Sequence, residues 1–116
     1  MNIRKINKGD LYIANLNPII GSEQGGVRPV VVLQNNKGNY FSPTIVIALL
    51  TKLENNKTEI PTHVILKKDK SIKEDSLILI EQIRSIDKSR LNMNIGKINK
   101  KKIKEVNNAI RKELDI

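Results

Sequence analysis

The stretch Gly21-Ser22-Glu23-Gln24-Gly25-Gly26-Val27-Arg28-Pro29 sets a hydroxyl, a carboxylate, an amide and a guanidinium around Gly25 and Gly26. Glycine lets a backbone approach a ligand closely and turn N–H groups onto an anion, and an Arg where a loop joins a strand projects a fixed fork of donors. The spacing is neither that of a P-loop nor that of a dinucleotide fingerprint, and no helix follows it. The residues alone leave two readings open: Arg28 facing an anion, or Arg28 paired with Glu23 or Asp10 to pin the loop. Thr51, at the end of an apolar run, would by itself be an ordinary strand residue. With no cysteine and one histidine, His63, thiol catalysis and thiolate metal sites are excluded and a zinc site lacks ligands.

These groups need elements to hold them. Leu11 to Leu16 alternates around Tyr12, Ala14 and Leu16 and reads as a first strand after the turn Lys8-Gly9-Asp10. Asn17 to Arg28 reads as a long shaped loop, with Pro29 as the first residue of the strand Val30-Val31-Val32-Leu33. Asn35 to Asn39 reads as a turn, and Thr44 to Leu50 as a buried strand delivering Thr51 at its end. Leu53 to Pro61 is polar and reads as a mobile loop. Thr62 to Leu66 and Ser76 to Ile80 are further strands, the second followed by the polar pair Glu81-Gln82 and an alternating run Ile83 to Ile86. Asn92 to Asn99 holds one more short strand. From Lys100 onward Ile103, Val106, Ile110 and Leu114 recur at helical steps, with Asn99 as N-cap, and Lys100-Lys101-Lys102 reads as a solvated face. Strands with regular turns and one late helix point to a mainly β, α+β domain: a strongly curved antiparallel sheet or open barrel with a helical cap. Pairing two copies would cover its free edges.

Composition sets the class. A chain of 116 residues with 39% hydrophobic and 28% charged residues suits one globular domain, residues 1–116. No apolar stretch approaches the roughly 18 residues of a membrane span, and Met1 to Lys8 lacks an export signal, so a cytoplasmic protein without membrane association is expected. The net charge of +9 invites a polyanion. That inference is discounted, because 16 Lys, 19 Ile and 14 Asn are also what drift in an A/T-rich genome produces. The five arginines, Arg4, Arg28, Arg84, Arg90 and Arg111, say more, since such drift replaces Arg with Lys unless a planar fork is required.

Gly9-Asp10, Asn17-Pro18, the block Gly21 to Val32, Ile47-Ala48-Leu49-Leu50-Thr51, Pro61-Thr62-His63-Val64 and Leu79 to Asp87 together resemble the MazF/PemK family of toxin endoribonucleases, over residues 7–114 or so and nearest its Firmicute-type branch. The resemblance implies a homodimeric SH3-like barrel that cuts single-stranded RNA without cofactor or metal, leaving a 2′,3′-cyclic phosphate and a 5′-OH. It implies Arg28 and Thr51 as the catalytic pair. Arg28 would then hold the charge of the phosphorane and Thr51 would add a donor. A proton-acceptor role fits a guanidinium poorly, which leaves Glu23 as base or positioning carboxylate. Ser22, Gln24, Glu81 and Gln82 can read base edges or ribose, the Gly26 backbone can approach the RNA, and Lys52 can hold a neighbouring phosphate. His63 is either a hydrogen-bonded structural histidine or an RNA contact. The resemblance also implies a MazE-like antitoxin whose acidic tail lies in the RNA groove, and a five-base recognition site of the UACAU kind. Two rivals share the fold or the basic surface: a CcdB-like gyrase poison, which grips its target with a Trp that this chain lacks, and a non-catalytic RNA-binding module.

Overall fold

The computed structural model describes residues 5–18, 20–21, 25–54 and 62–116. Six strands, β1 (Asp10–Asn15), β2 (Val27–Val32), β3 (Thr44–Lys52), β4 (His63–Leu66), β5 (Ser76–Asp87) and β6 (Leu91–Lys97), form one sheet in the order β4-β5-β3-β2-β1-β6. Every neighbouring pair is antiparallel. Two helices, α1 (Asn36–Phe41) and α2 (Lys100–Leu114), and a 3-10 turn at Lys88–Arg90 complete it. The expected mainly β architecture with a terminal helix is present, with β4 and β6 as free edges.

The two apolar faces of β3 explain its central place. Ile45, Ile47 and Leu49 point into one buried cluster with Val30, Val32, Leu77 and Leu79. The alternate residues Ala48 and Leu50 point into a second cluster, which Val106 and Ala109 of α2 close from outside. Burying a Leu or Ile side chain contributes about 1.5–3 kcal/mol, so a strand apolar on both faces is driven between two layers. α2 starts where expected: the Asn99 side chain accepts from the Lys102 N–H at 2.8 Å. No helix among the described residues is long and apolar enough to cross a membrane.

Three local expectations are corrected. The turn expected at Asn35 to Asn39 is the start of α1, because Asn35 caps it, accepting from the Gly38 N–H at 2.8 Å, while Asn39 is buried and donates to the Gln34 carbonyl at 2.9 Å. Pro29 does not begin β2; the strand starts at Val27, and Pro29 lies one residue outside the β2–β3 ladder, which begins at Val30, so its missing N–H interrupts nothing there. The pair Glu81-Gln82 does not end a strand. β5 runs through it, and the register against β3 shifts between Ile47, opposite Arg84, and Leu49, opposite Leu79. The extra residues on β5 form a bulge, which bends the strand and turns Glu81 outward. The mobile loop expected at Leu53 to Pro61 lies, from 55 onward, outside the described residues.

Candidate functional site

Arg28 sits inside β2, opposite Ala14 of β1. The β2–β3 ladder ends at the pair Val30 and Leu49, and Arg28 and Thr51 each lie two residues beyond that pair on adjacent strands. Thr51 is in turn opposite Leu77, Leu77 opposite Ile65, and Ala14 opposite Leu91. The registers give two rows: Ile65, Leu77 and Thr51 across β4, β5 and β3, and Arg28, Ala14 and Leu91 across β2, β1 and β6. Leu77, Ala14 and Leu91 are fully buried and Ile65 packs against the same cluster. Arg28 and Thr51 are the polar members of these rows, both half-buried. Core rows spend positions on a guanidinium and a hydroxyl only where their heads meet something beyond the core.

The loop before Arg28 is tied down at its base. The Leu16 N–H donates to the Gly26 carbonyl at 2.9 Å, and the Gly26 N–H to the Asn17 side-chain oxygen at 2.9 Å. Gly26 has φ of +88°, a conformation that a side chain would resist. Its amide is thus engaged within the loop rather than pointing at a ligand. Two arginines reach the same place from far along the chain: Arg84 donates to the Leu16 carbonyl at 3.1 Å, and Arg90 to the carbonyls of Asn15, at 3.1 Å, and Asn17. Three consecutive carbonyls are held by two planar guanidinium forks, which a Lys ammonium would reproduce poorly. Ser22, Glu23 and Gln24, hung from this base, lie outside the described residues.

On the neighbouring strands, the His63 imidazole Nε2 lies 2.5 Å from a Glu81 carboxylate oxygen, with the histidine side chain 5% exposed and the glutamate 33%. Of the two readings for His63 the geometry supports the hydrogen-bonded one, and it holds the carboxylate at the bulge beside half-buried Gln82. Asp10 does not turn toward the loop. Its carboxylate accepts from the Asn7 N–H at 2.9 Å. Lys52 alternates to the opposite face of β3 from Thr51 and lies 3.9 Å from Glu74. Thr51 and Lys52 nevertheless border one cleft of about 520 Å³, with Pro29, Ser71, Lys73 and Ser76. The structure thus puts Arg28 and Thr51 on adjacent strands, each two residues past the last β2–β3 pair, and joins Glu81 to His63. The contributions of Arg84 and Arg90 were signalled in the sequence only by their being arginines.

The model of the PemK-like, MazF-like toxins of type II toxin–antitoxin systems matches residues 7–114. A relative from Staphylococcus saprophyticus, Endoribonuclease MazF, is 52% identical over 106 residues, covering 90% of this chain and 88% of its own. Among solved structures, MazF from Deinococcus radiodurans superposes with a TM-score of 0.84 at 24% identity, covering 97% of this chain and 99% of that one. An endoribonuclease in complex with its cognate antitoxin from a mycobacterial species superposes at 0.78 with 20% identity, covering 96% of both chains. These two share the fold. On the family match and the staphylococcal relative, the chain belongs to the PemK-like, MazF-like toxins of type II toxin–antitoxin systems.

Proposed function

We propose that the protein is a toxin endoribonuclease that cuts single-stranded RNA, mRNA above all, at a short sequence by transesterification, leaving 2′,3′-cyclic phosphate and 5′-OH ends. The observation that carries this reading is the Arg28–Thr51 pair, two polar residues on adjacent strands, each two positions past the last β2–β3 pair and each opposite a buried apolar residue. In the reaction the ribose 2′-oxygen loses its proton and attacks the phosphorus, and the P–O5′ bond breaks with a proton delivered to the leaving oxygen. The guanidinium of Arg28 can set two N–H bonds on the non-bridging oxygens as charge grows there, and the Thr51 hydroxyl a third. Neither group is a good base, so Glu23 is assigned that role. Glu81 and Gln82, with Ser22 and Gln24, are assigned to base reading, and Lys52 to an adjacent phosphate. His63 and Arg84, with Arg90, position the reading and reacting groups.

The chain offers no cysteine and one histidine, which supports a route that uses Arg and Thr in place of a metal-bound hydroxide. The partners assigned are a second copy of the chain and an antitoxin with an acidic tail that competes with RNA for Arg28, in the cytoplasm where mRNA lies.

The test is to incubate purified protein with a mixed RNA pool in excess EDTA and sequence the cut ends. Cleavage at one short motif with 5′-OH ends is expected. Removing a preorganised donor costs about 100- to 1,000-fold in kcat, so Arg28→Ala and Thr51→Ala should each lose at least that. Ends bearing 5′-phosphate, a requirement for metal, or full activity in either variant would overturn the proposal.

A further inference from the structure

Seven residues of the β4–β5 connection, from Asp69 to Asp75, are folded down onto the sheet rather than left in solvent. The Asp69 carboxylate accepts from the N–H groups of Ser71 and Ile72 at 2.6 and 3.2 Å, and Ile72 is buried at 5% exposure. A side chain added at Gly96 of β6 would place its Cβ 2.0 Å from the Ser71 hydroxyl, so the loop is seated directly on that strand, and Gly96 alone permits it. Ser71 borders two depressions. One is the cleft with Pro29, Thr51, Lys52 and Lys73; the other, of about 440 Å³, is lined by Lys70, Gly96 and Lys97. Ser71 is the lining residue that both share. Beyond Lys97 the chain enters α2, whose first residue is Lys100.

Lys70, Lys73, Lys97 and Lys100 are exposed. Among the described residues none of the four has a carboxylate within ion-pair distance, whereas Lys52 and Lys67 lie 3.9 and 3.6 Å from Glu74 and Asp75. The nearby carboxylates are committed elsewhere. Asp69 holds the loop backbone, Asp75 accepts from the Lys68 N–H at 2.9 Å, and Asp10, which also lines the second depression, is buried and bonded to Asn7. Codon drift accounts for these residues being Lys rather than Arg. It does not account for the β4–β5 loop and β6 bringing Lys73, Lys70 and Lys97 to two depressions that share Ser71, the first of them bordered by Thr51.

We infer that these two depressions form a second RNA-binding track, in which Lys73, Lys70 and Lys97 hold the phosphates of RNA flanking the cut. Lysine, a point charge on a flexible stem, suits phosphate neutralisation without base reading. The track therefore gives affinity for long RNA and no sequence preference. The inference rests on the RNA-cleaving reading of the Arg28–Thr51 pair and extends it to substrate length.

The test compares wild type with Lys70→Glu/Lys73→Glu/Lys97→Glu on two substrates carrying the same cut motif: a short oligonucleotide of little more than the motif, and a transcript with long single-stranded flanks. With about 0.7 counterion released per phosphate held on a single strand, the triple variant should flatten the slope of log kcat/KM against log salt by about 2 on the long RNA. At low salt, kcat/KM on that RNA should fall by about 10- to 100-fold, while the short substrate stays within twofold. Equal loss on both substrates, or none on the long one, overturns the track. Binding of the long RNA with a 2′-deoxy nucleotide at the cut position is measured in parallel. The salt slope of that binding decides the track even if the wild type cuts nothing. If the variant keeps its long-RNA slope but loses affinity for polyglutamate, the surface serves an acidic protein and the RNA track is wrong. Lys97→Ala alone, checked by circular dichroism, should give about a third of the slope change, which guards against misfolding of the triple variant.

Discussion

His63 and Glu81 show how a residue outside the reacting pair can tune it. The imidazole is nearly enclosed and its Nε2 lies 2.5 Å from the carboxylate, so one oxygen of Glu81 is fixed at the β5 bulge. If this bond orients Glu81 for base reading, His63→Gln should raise KM several-fold and leave kcat within about twofold. Glu81→Gln should do the same, and the double variant should be no worse than either single one, since two changes to one contact do not add. Steady-state kinetics on a fixed RNA motif, with melting temperatures measured alongside, separates this from a folding defect. Additive losses, or a fall in kcat alone, would show that the pair does not act as a unit. Under the proposed function Arg28 contrasts with this pair: its contribution is direct, through a fork of donors rather than a charge alone.

The element that gathers most of the long-range order around the site is the short 3-10 turn Lys88–Arg90. Asp87 caps it, its side chain accepting from the Ser89 N–H at 2.9 Å, and that bond to the Ser89 backbone, with the nearby charge of Arg90, holds the Asp87 carboxyl below its ordinary value of 3.8. Arg90 then bonds the carbonyls of Asn15 and Asn17 at the base of the glycine loop. Arg90→Ala should lower kcat/KM by about tenfold, since charge-assisted bonds contribute about 1.5–3 kcal/mol when buried and less when exposed as here. Amide exchange should accelerate at Leu16 and Gly26 and not in α2, and Arg90→Lys should recover only part of the activity. Uniform acceleration across the sheet would instead mean general destabilisation. The cap also has a pH signature. Because the folded Asp87 holds its proton less tightly than the unfolded chain does, its stabilisation is complete above 3.8 and is lost as pH falls below that value through the lowered one. Asp87→Asn should therefore flatten the acid limb of the unfolding curve in that window. An unchanged acid limb would remove Asp87 from the account.

At the scale of the whole molecule, the sheet has two free edges, β4 and β6, and α1 presents Tyr40 and Phe41 at 63% and 72% exposure, their rings 4.8 Å apart. Unpaired edges and exposed aromatic pairs are features that association between copies covers. Light scattering in dilute buffer should return twice the monomer mass, and a single-chain mass across the micromolar range would dismiss the homodimer. The net charge of +9 is not spread evenly in its consequences: Lys70, Lys73 and Lys97 line two depressions that share Ser71, while Lys102 is drawn inward to the Ile65 carbonyl at 2.7 Å. The expectation of a solvated lysine face at the start of α2 holds for Lys100 and Lys101 and fails for Lys102.

Most of the strands and α2 were legible in the residues because their signals are local: alternation in β1, two-sided apolarity in β3, and an Asn cap before a helical period in α2. The chemistry of Arg28 and Thr51 could be read only by likeness to a family, since an Arg after glycines and a Thr after an apolar run have innocent readings in isolation. What tertiary structure decided is what depends on register and distance. Pairing between β2 and β3 makes neighbours of the strands that carry Arg28 and Thr51, 23 positions apart in the chain, and no local propensity specifies a register. The helix at Asn36 to Phe41 formed against turn-like residues because the Asn35 cap and the Asn39 side-chain bond to the Gln34 carbonyl outweighed them. The holding of the loop by Arg84 and Arg90 joins residues 68 to 75 positions apart, where only the folded sheet brings donor and carbonyl together. The sequence by itself therefore determined which groups were available and which elements would carry them. The fold decided which of them meet, because contacts between strands remote in the chain are set by the packing of two buried layers and not by neighbours in sequence.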